Sequence, residues 1–277
     1  MAYKTLMVHV DEGPDAAARV EFACTLADRF DAALIGVAAC PMKMPLTDPY
    51  TTGGMVIDFL QQEHDRAEAC IKQAEEIFNT AAAAHKCRTE WRSALRLPTP
   101  VLAHESRAAD LIIVGRDRPQ DGHRQALEPG DLIMNAGRPV LVVPPAAAPD
   151  TAPSGVLIAW KESREARRAV VDALPLLQIA AKVTVAEICE DDEIEQSQRR
   201  LGDVAAFLGR HGVNADPVVL PAQAGSVADR LIAFAGRERA GLVVMGGYGH
   251  ARMREWVFGG ATREMLGHSP VCCLFSH

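Results

Sequence analysis

The chain has 277 residues, of which 48% are hydrophobic and 23% charged, with a formal net charge of −7. That length gives a soft expectation of two domains, and the acidic balance argues against the basic footprint of a nucleic-acid binder. The apolar stretch 6–10 is too short for a secretory leader, and no apolar run approaches the roughly 18 residues of a membrane span, so no membrane partner is expected.

In chain order the first half alternates strand and helix. Residues 4–10 form a short apolar run and predict a strand. Residues 15–30 have helical spacing, with Ala18, Phe22 and Leu26 repeating at four. A second strand follows at 33–39. Residues 41–55, which include Gly53 and Gly54, show no clear element. A long helix is predicted over 56–86, with Ile71, Ala74, Ile77 and Phe78 on one face. Then come a strand (88–93), a helix (99–106), a strand (111–114), a helix (129–136) and a strand (139–143). Four prolines within residues 144–153 read as a stiff linker.

The second half repeats the scheme, with strands at 156–160, 182–188, 214–220, 241–245 and 271–275. Its helices lie near 165–179, 194–212, 226–236 and 260–266. The acidic run 190–193 precedes a helix and reads as a solvated charge cluster. The apolar runs lack alternation, as in parallel strands covered on both faces. The fold class is therefore α/β, with two tandem domains over 1–147 and 154–277, each a five-stranded parallel sheet with helices on both faces. Ligands of such sheets bind at the carboxyl ends of the strands, near a topological switch point.

The cysteines are Cys24, Cys40, Cys70, Cys87, Cys189, Cys272 and Cys273. An odd count without a C-x-x-C pair is the usage of a reduced cytosol, so a cytoplasmic location is expected, with the thiols as small core residues. Strand geometry sends Cys272 and Cys273 to opposite faces. His9 is expected to be packed. The nine histidines form no zinc pattern, so no metal ligands are assigned. Neither G-x-S-x-G nor the G-x4-G-K-[ST] loop occurs.

After the fourth strand of the second half, the glycines of residues 246–264 are spaced G-x2-G-x9-G, at Gly246, Gly249 and Gly259. Glycine lets main-chain amides approach a ligand closely. The helix beginning at 259–262 offers unpaired amides and a favourable dipole to an anion. Thr262 adds a hydroxyl, and Arg252, Arg254 and Arg263 add positive charge nearby.

With this loop, the run Ala159-Trp160-Lys161-Glu162-Ser163-Arg164-Glu165-Ala166 and the C-terminal segment 270–277, nearly the whole chain resembles the universal stress proteins in their tandem, UspA-like form. The resemblance implies Rossmann-like domains of the adenine nucleotide alpha hydrolase type, with strand order 3-2-1-4-5. It implies pairing of the two last strands into an intrachain pseudo-dimer, with a homodimer left open. It also implies ATP as the ligand, with Mg2+ left open. Carried over, Gly246, Gly249, Gly259, Gly260 and Thr262 hold phosphates and ribose, and Ile188 lines the adenine pocket. Trp160, Lys161, Ser163, Met245, His250 and Ala261 complete the expected nucleotide site, with Lys161 placed to contact a phosphate. Trp160 and Ser163 stand at the end of the first strand, and His250 lies in the loop. Two positions depart from the family pattern. Gly260 stands where Ser or Thr follows the last glycine, and Lys161 stands where an aspartate faces the base. A lysine accepts no hydrogen bond from an adenine amino group.

The first half shows the opposite defect. It keeps Asp11, but Arg118 replaces its second loop glycine, and Pro129-Gly130-Asp131 opens the helix. ATP is therefore expected in the second half and not in the first. The expected role is nucleotide binding in stress response or signalling rather than catalysis, since no positioned base or nucleophile is visible. A slow ATPase and a binder of another small anionic or lipid-like ligand are the alternatives.

Overall fold

The computed structural model describes residues 2–43, 53–116, 127–145, 155–222, 224–248 and 260–277. The first five strands are β1 (Thr5–His9), β2 (Ala33–Ala39), β3 (Thr89–Ala94), β4 (Leu111–Gly115) and β5 (Val140–Val143). The last five are β6 (Val156–Trp160), β7 (Val183–Cys189), β8 (Ala215–Pro221), β9 (Leu242–Gly246) and β10 (Cys272–Ser276). Between them run α1 (Ala16–Phe30), α2 (Gly53–Ala82), α3 (Pro98–Glu105), α4 (Pro129–Asn135), α5 (Arg164–Ile179), α6 (Ile194–Arg210), α7 (Val227–Arg237) and α8 (Gly260–His268).

Each predicted strand and helix is present, most within one or two residues of its expected bounds. α2 is the exception. It starts at Gly53, inside the stretch read as featureless, and stops at Ala82 rather than residue 86. The stop has a tertiary cause. Asp28 of α1 accepts the Lys86 N–H at 3.0 Å and binds the His85 ring at 2.9 Å, which pulls the chain off the helical path.

All ten strands join one sheet, in the order β3-β2-β1-β4-β5-β10-β9-β6-β7-β8. Each half thus has the implied 3-2-1-4-5 order. Pairing is parallel throughout except at the centre, where β5 meets β10 antiparallel, with Val142 opposite Cys273 and Val140 opposite Phe275. The two halves therefore run in opposite directions, and their strand C-termini lie at opposite edges of the sheet.

Both faces are buried, which is why the strands read as unbroken apolar runs. One core layer packs Leu6, Val8, Phe78, Ile158, Val244 and Leu274 under α1, α2, α5 and α6. The other packs Met7, Ile112, Leu157, Val243 and Phe275 under α3, α4, α7 and α8. Each layer crosses the central seam. Cys272 and Cys273 fall in opposite layers, as strand alternation requires. Among the described residues no helix is long and apolar enough to cross a membrane.

The clasp that ends α2 carries a pH dependence. His85 Nε2 lies 3.0 Å from Glu21 Oε2, and Nδ1 lies 2.9 Å from Asp28 Oδ2. The Glu21 hydrogen bond, working against burial and joined by the Asp28 bond, raises His85 above its ordinary value. A raised folded-state pKa stabilises fully below the unfolded value of about 6.5, and the contribution is lost as pH rises through the folded value. Urea midpoints should therefore fall between mildly acidic and mildly alkaline pH, and His85→Gln should flatten that slope. An unchanged slope in the variant would assign the dependence to other groups.

Candidate functional site

In the second half β6 lies between β9 and β7, and the chain leaves these strands in opposite directions. Open α/β sheets take their ligands at such a switch point, here the carboxyl ends of β6 and β9. Met245, Ile188, Tyr248 and Ala261 all belong to one core layer there. Trp160 does not join them. It pairs in register with Glu187 and packs in the opposite layer, and its indole N–H is buried without a partner among the described residues. The alternation of side chains along β6 decides this: Ala159, not Trp160, is the residue opposite Met245.

Gly246 ends β9 directly on the first turn of α5. A Cβ at this position would stand 2.7 Å from the Ala166 amide nitrogen and 2.8 Å from the Glu165 carbonyl carbon. That first turn is already satisfied from within the chain. Ser163, expected beside the nucleotide, is instead the helix cap, its Oγ accepting the Ala166 N–H at 3.2 Å. Glu165 is buried against the same turn. Burial opposes its ionisation, but the Arg164 side chain and the Glu165 backbone N–H hold the carboxyl below its ordinary range. The dipole of α5 thus has its anion built in.

The start of α8 differs. It opens at Gly260 with no acidic residue in its first turn. Among the described residues a Cβ on Gly260 would meet nothing closer than Glu264 Oε1 at 3.9 Å. Thr262 is buried, and its Oγ1 accepts the Tyr248 N–H at 3.4 Å, which ties the start of the loop to the helix. Its hydroxyl hydrogen is still a donor. Gly247 is fixed at the same end, with its N–H donating to the Ser276 carbonyl at 2.8 Å and its carbonyl 3.1 Å from His277 Nδ1. Lys161 follows β6 and is exposed. Gly249, His250, Arg252, Arg254 and Gly259 lie outside the described residues, whereas Arg263 lies on α8.

No family model matches this chain, and no curated protein does. Solved structures do. A universal stress protein from Archaeoglobus fulgidus DSM 4304 superposes with a TM-score of 0.72 at 14% identity, covering 98% of this chain and 95% of that one. The fold is that of the tandem universal stress proteins. A functionally unknown protein from Pseudomonas aeruginosa PAO1 is also similar, with a TM-score of 0.60, 14% identity and coverage of 99% and 92%.

In this universal stress fold the first half has a crevice at the matching place, and its groups are already engaged. Asp11 Oδ2 accepts from Arg19 at 2.7 Å, and Oδ1 accepts the Gly13 N–H at 2.9 Å. Burial would raise the Asp11 carboxyl, but the Arg19 guanidinium keeps it below its usual value. Arg19 is itself buried, donates to the His9 carbonyl at 2.9 Å and fills the space against Gly115. Burial also drives His9 down to about 4, so it is neutral at physiological pH. At α4, Pro129 supplies no N–H, Asp131 sits in the first turn, and the Tyr248 hydroxyl packs against Gly130.

A cleft of about 400 Å³ nevertheless remains beside these groups, bounded in part by Asp11, Cys40, Arg66, Cys70 and Arg116. Sequence reasoning missed both Arg19 and this cleft. The available signal was an arginine on the buried face of α1, eight residues after Asp11, where Ala169 stands eight after Lys161. No group of three or more His, Cys, Asp and Glu able to hold a metal occurs among the described residues.

Proposed function

We propose that this chain is a nucleotide-binding protein of the universal stress type that holds ATP in its C-terminal domain (154–277), with the phosphates at the start of α8. The N-terminal domain (1–147) serves as its intrachain pseudo-dimer partner. One contrast carries the reading. The two helices that follow the fourth strands differ at their starts: α4 opens on Pro129 and holds Asp131 in its first turn, whereas α8 carries no acidic residue there and opens on a glycine with open space around it among the described residues. An anion is favoured where orphan amides and the dipole are not yet answered. Binding rather than turnover fits the residues around α8, where Thr262 is tied to the Tyr248 amide. Lys161 adds charge near the strand end without an acceptor for adenine, so phosphate contacts carry more of the affinity than base contacts do.

Gly260→Asp tests this directly. Its Cβ has room, so the fold should be retained. A carboxylate at the helix start should weaken ATP binding by about tenfold or more in calorimetric titration of the full chain, a loss of about 1.4 kcal/mol. Unchanged affinity would remove α8 from the site. Mass spectrometry of small molecules released from the purified, denatured protein identifies the occupant. A non-nucleotide anion recovered at stoichiometric amounts would replace ATP in this reading.

A further inference from the structure

Four of the seven cysteines form two contacting pairs around α2, and neither pair contributes to the proposed nucleotide site. The side chains of Cys24 on α1 and Cys87 interact, as do those of Cys70 on α2 and Cys40, the residue that follows β2. The surroundings of the two pairs differ. Cys24 is fully buried, and the partner of its pair, Cys87, sits beside the Asp28 carboxylate, which disfavours a thiolate. Cys40 and Cys70 both line the 400 Å³ cleft, where a small solute can reach them. Arg66 Nη1 lies 3.8 Å from Cys40 Sγ, and the guanidinium is held there by the Pro41 carbonyl at 2.9 Å and by Glu63 at 3.1 Å. The Cys40 sulfur thus lies beside a guanidinium, on a cleft it shares with a second thiol. An attacking thiol with a resolving partner uses that arrangement.

We propose that Cys40 and Cys70 form a peroxide-responsive dithiol site that closes to a disulfide across the N-terminal cleft. The Cys40 thiolate attacks the outer oxygen of a hydroperoxide. The O–O bond breaks, the alkoxide or hydroxide leaves and takes up the proton shed by Cys40, and a sulfenic acid forms on Cys40. The Cys70 sulfur then attacks the Cys40 sulfur. The S–S bond forms, the S–O bond breaks, and hydroxide leaves as water with the Cys70 proton. In sum, two thiols are oxidised by two electrons, and the peroxide is reduced to an alcohol, or water, plus water. Burial, first of all, and then the bond to Cys40 push the Cys70 thiol up to about 12, which suits the resolving role rather than the attacking one. The disulfide would join the end of β2 to α2 and narrow the cleft that both residues line.

The test treats the full-length reduced protein with hydrogen peroxide and follows thiols by differential alkylation and peptide mass spectrometry. Two of seven thiols should disappear, with a Cys40–Cys70 cross-link as the first product, and dithiothreitol should reverse it. Cys70→Ser should stop at a dimedone-reactive sulfenic acid on Cys40. Arg66→Gln should slow thiol loss about tenfold at an unchanged unfolding midpoint. First modification at Cys70 or at the Cys24–Cys87 pair would overturn the proposal. So would thiol loss at equal rates in the wild-type and Arg66→Gln proteins.

Discussion

Gly246→Val should abolish measurable ATP binding and destabilise the protein by about 1–3 kcal/mol. The valine Cβ would have to occupy space 2.7 Å from the Ala166 nitrogen and 2.8 Å from the Glu165 carbonyl carbon. Both are backbone atoms of a capped helix turn, so they cannot swing aside as a flexible side chain would. Either β9 lifts from α5 or the first turn of α5 opens. Lifting β9 moves Gly247 and Tyr248, and with Tyr248 the hydrogen bond to Thr262 that ties the loop to α8. Binding and stability should therefore fall together, in contrast to Gly260→Asp, where binding should fall alone. Calorimetric titration and urea unfolding of both variants separate the two effects. Normal ATP affinity in Gly246→Val would show that the β9–α5 contact does not shape the site.

Phe275→Ala should cost about 3–5 kcal/mol, the range for emptying a large aromatic site in a closed core. Phe275 is wholly buried on β10, the strand that joins the halves, where it faces Val140 of β5 on one side and Met245 of β9 on the other. Its layer runs from α3 and α4 to α7 and α8 without a break at the seam. The cavity should therefore weaken both halves at once. A single urea transition shifted to lower concentration, with amide exchange accelerated in β4 and β9 alike, is the expected result. Two separate transitions, with only residues after 155 affected, would show that the halves are energetically independent despite the shared sheet.

The sequence by itself determined the α/β class and the run of strands and helices. The strand order and the pairing of the last strands were implied by the resemblance, whereas strand and helix periods and the repeated scheme of the two halves were enough to place every strand and α-helix except for the ends of α2. Those signals are local, and each buried face demands its own residue pattern. The C-terminal end of α2 was misjudged because nothing within α2 reports that Asp28, on another helix, seizes the chain at His85 and Lys86. Among the expected site residues, Met245, Ile188 and Ala261 share a layer, and Gly246 lies where backbone approaches backbone. Trp160 and Ser163 were adjacent in sequence to that site, but one faces the opposite layer and the other is spent on capping α5. The occupation of Asp11 by Arg19, the filling of two helix N-termini by Glu165 and Asp131, and the Cys40–Cys70 contact were decided by tertiary structure alone. Each depends on which polar groups meet across different elements, and a hydrogen bond or charge pair between distant residues leaves no periodic trace in the chain.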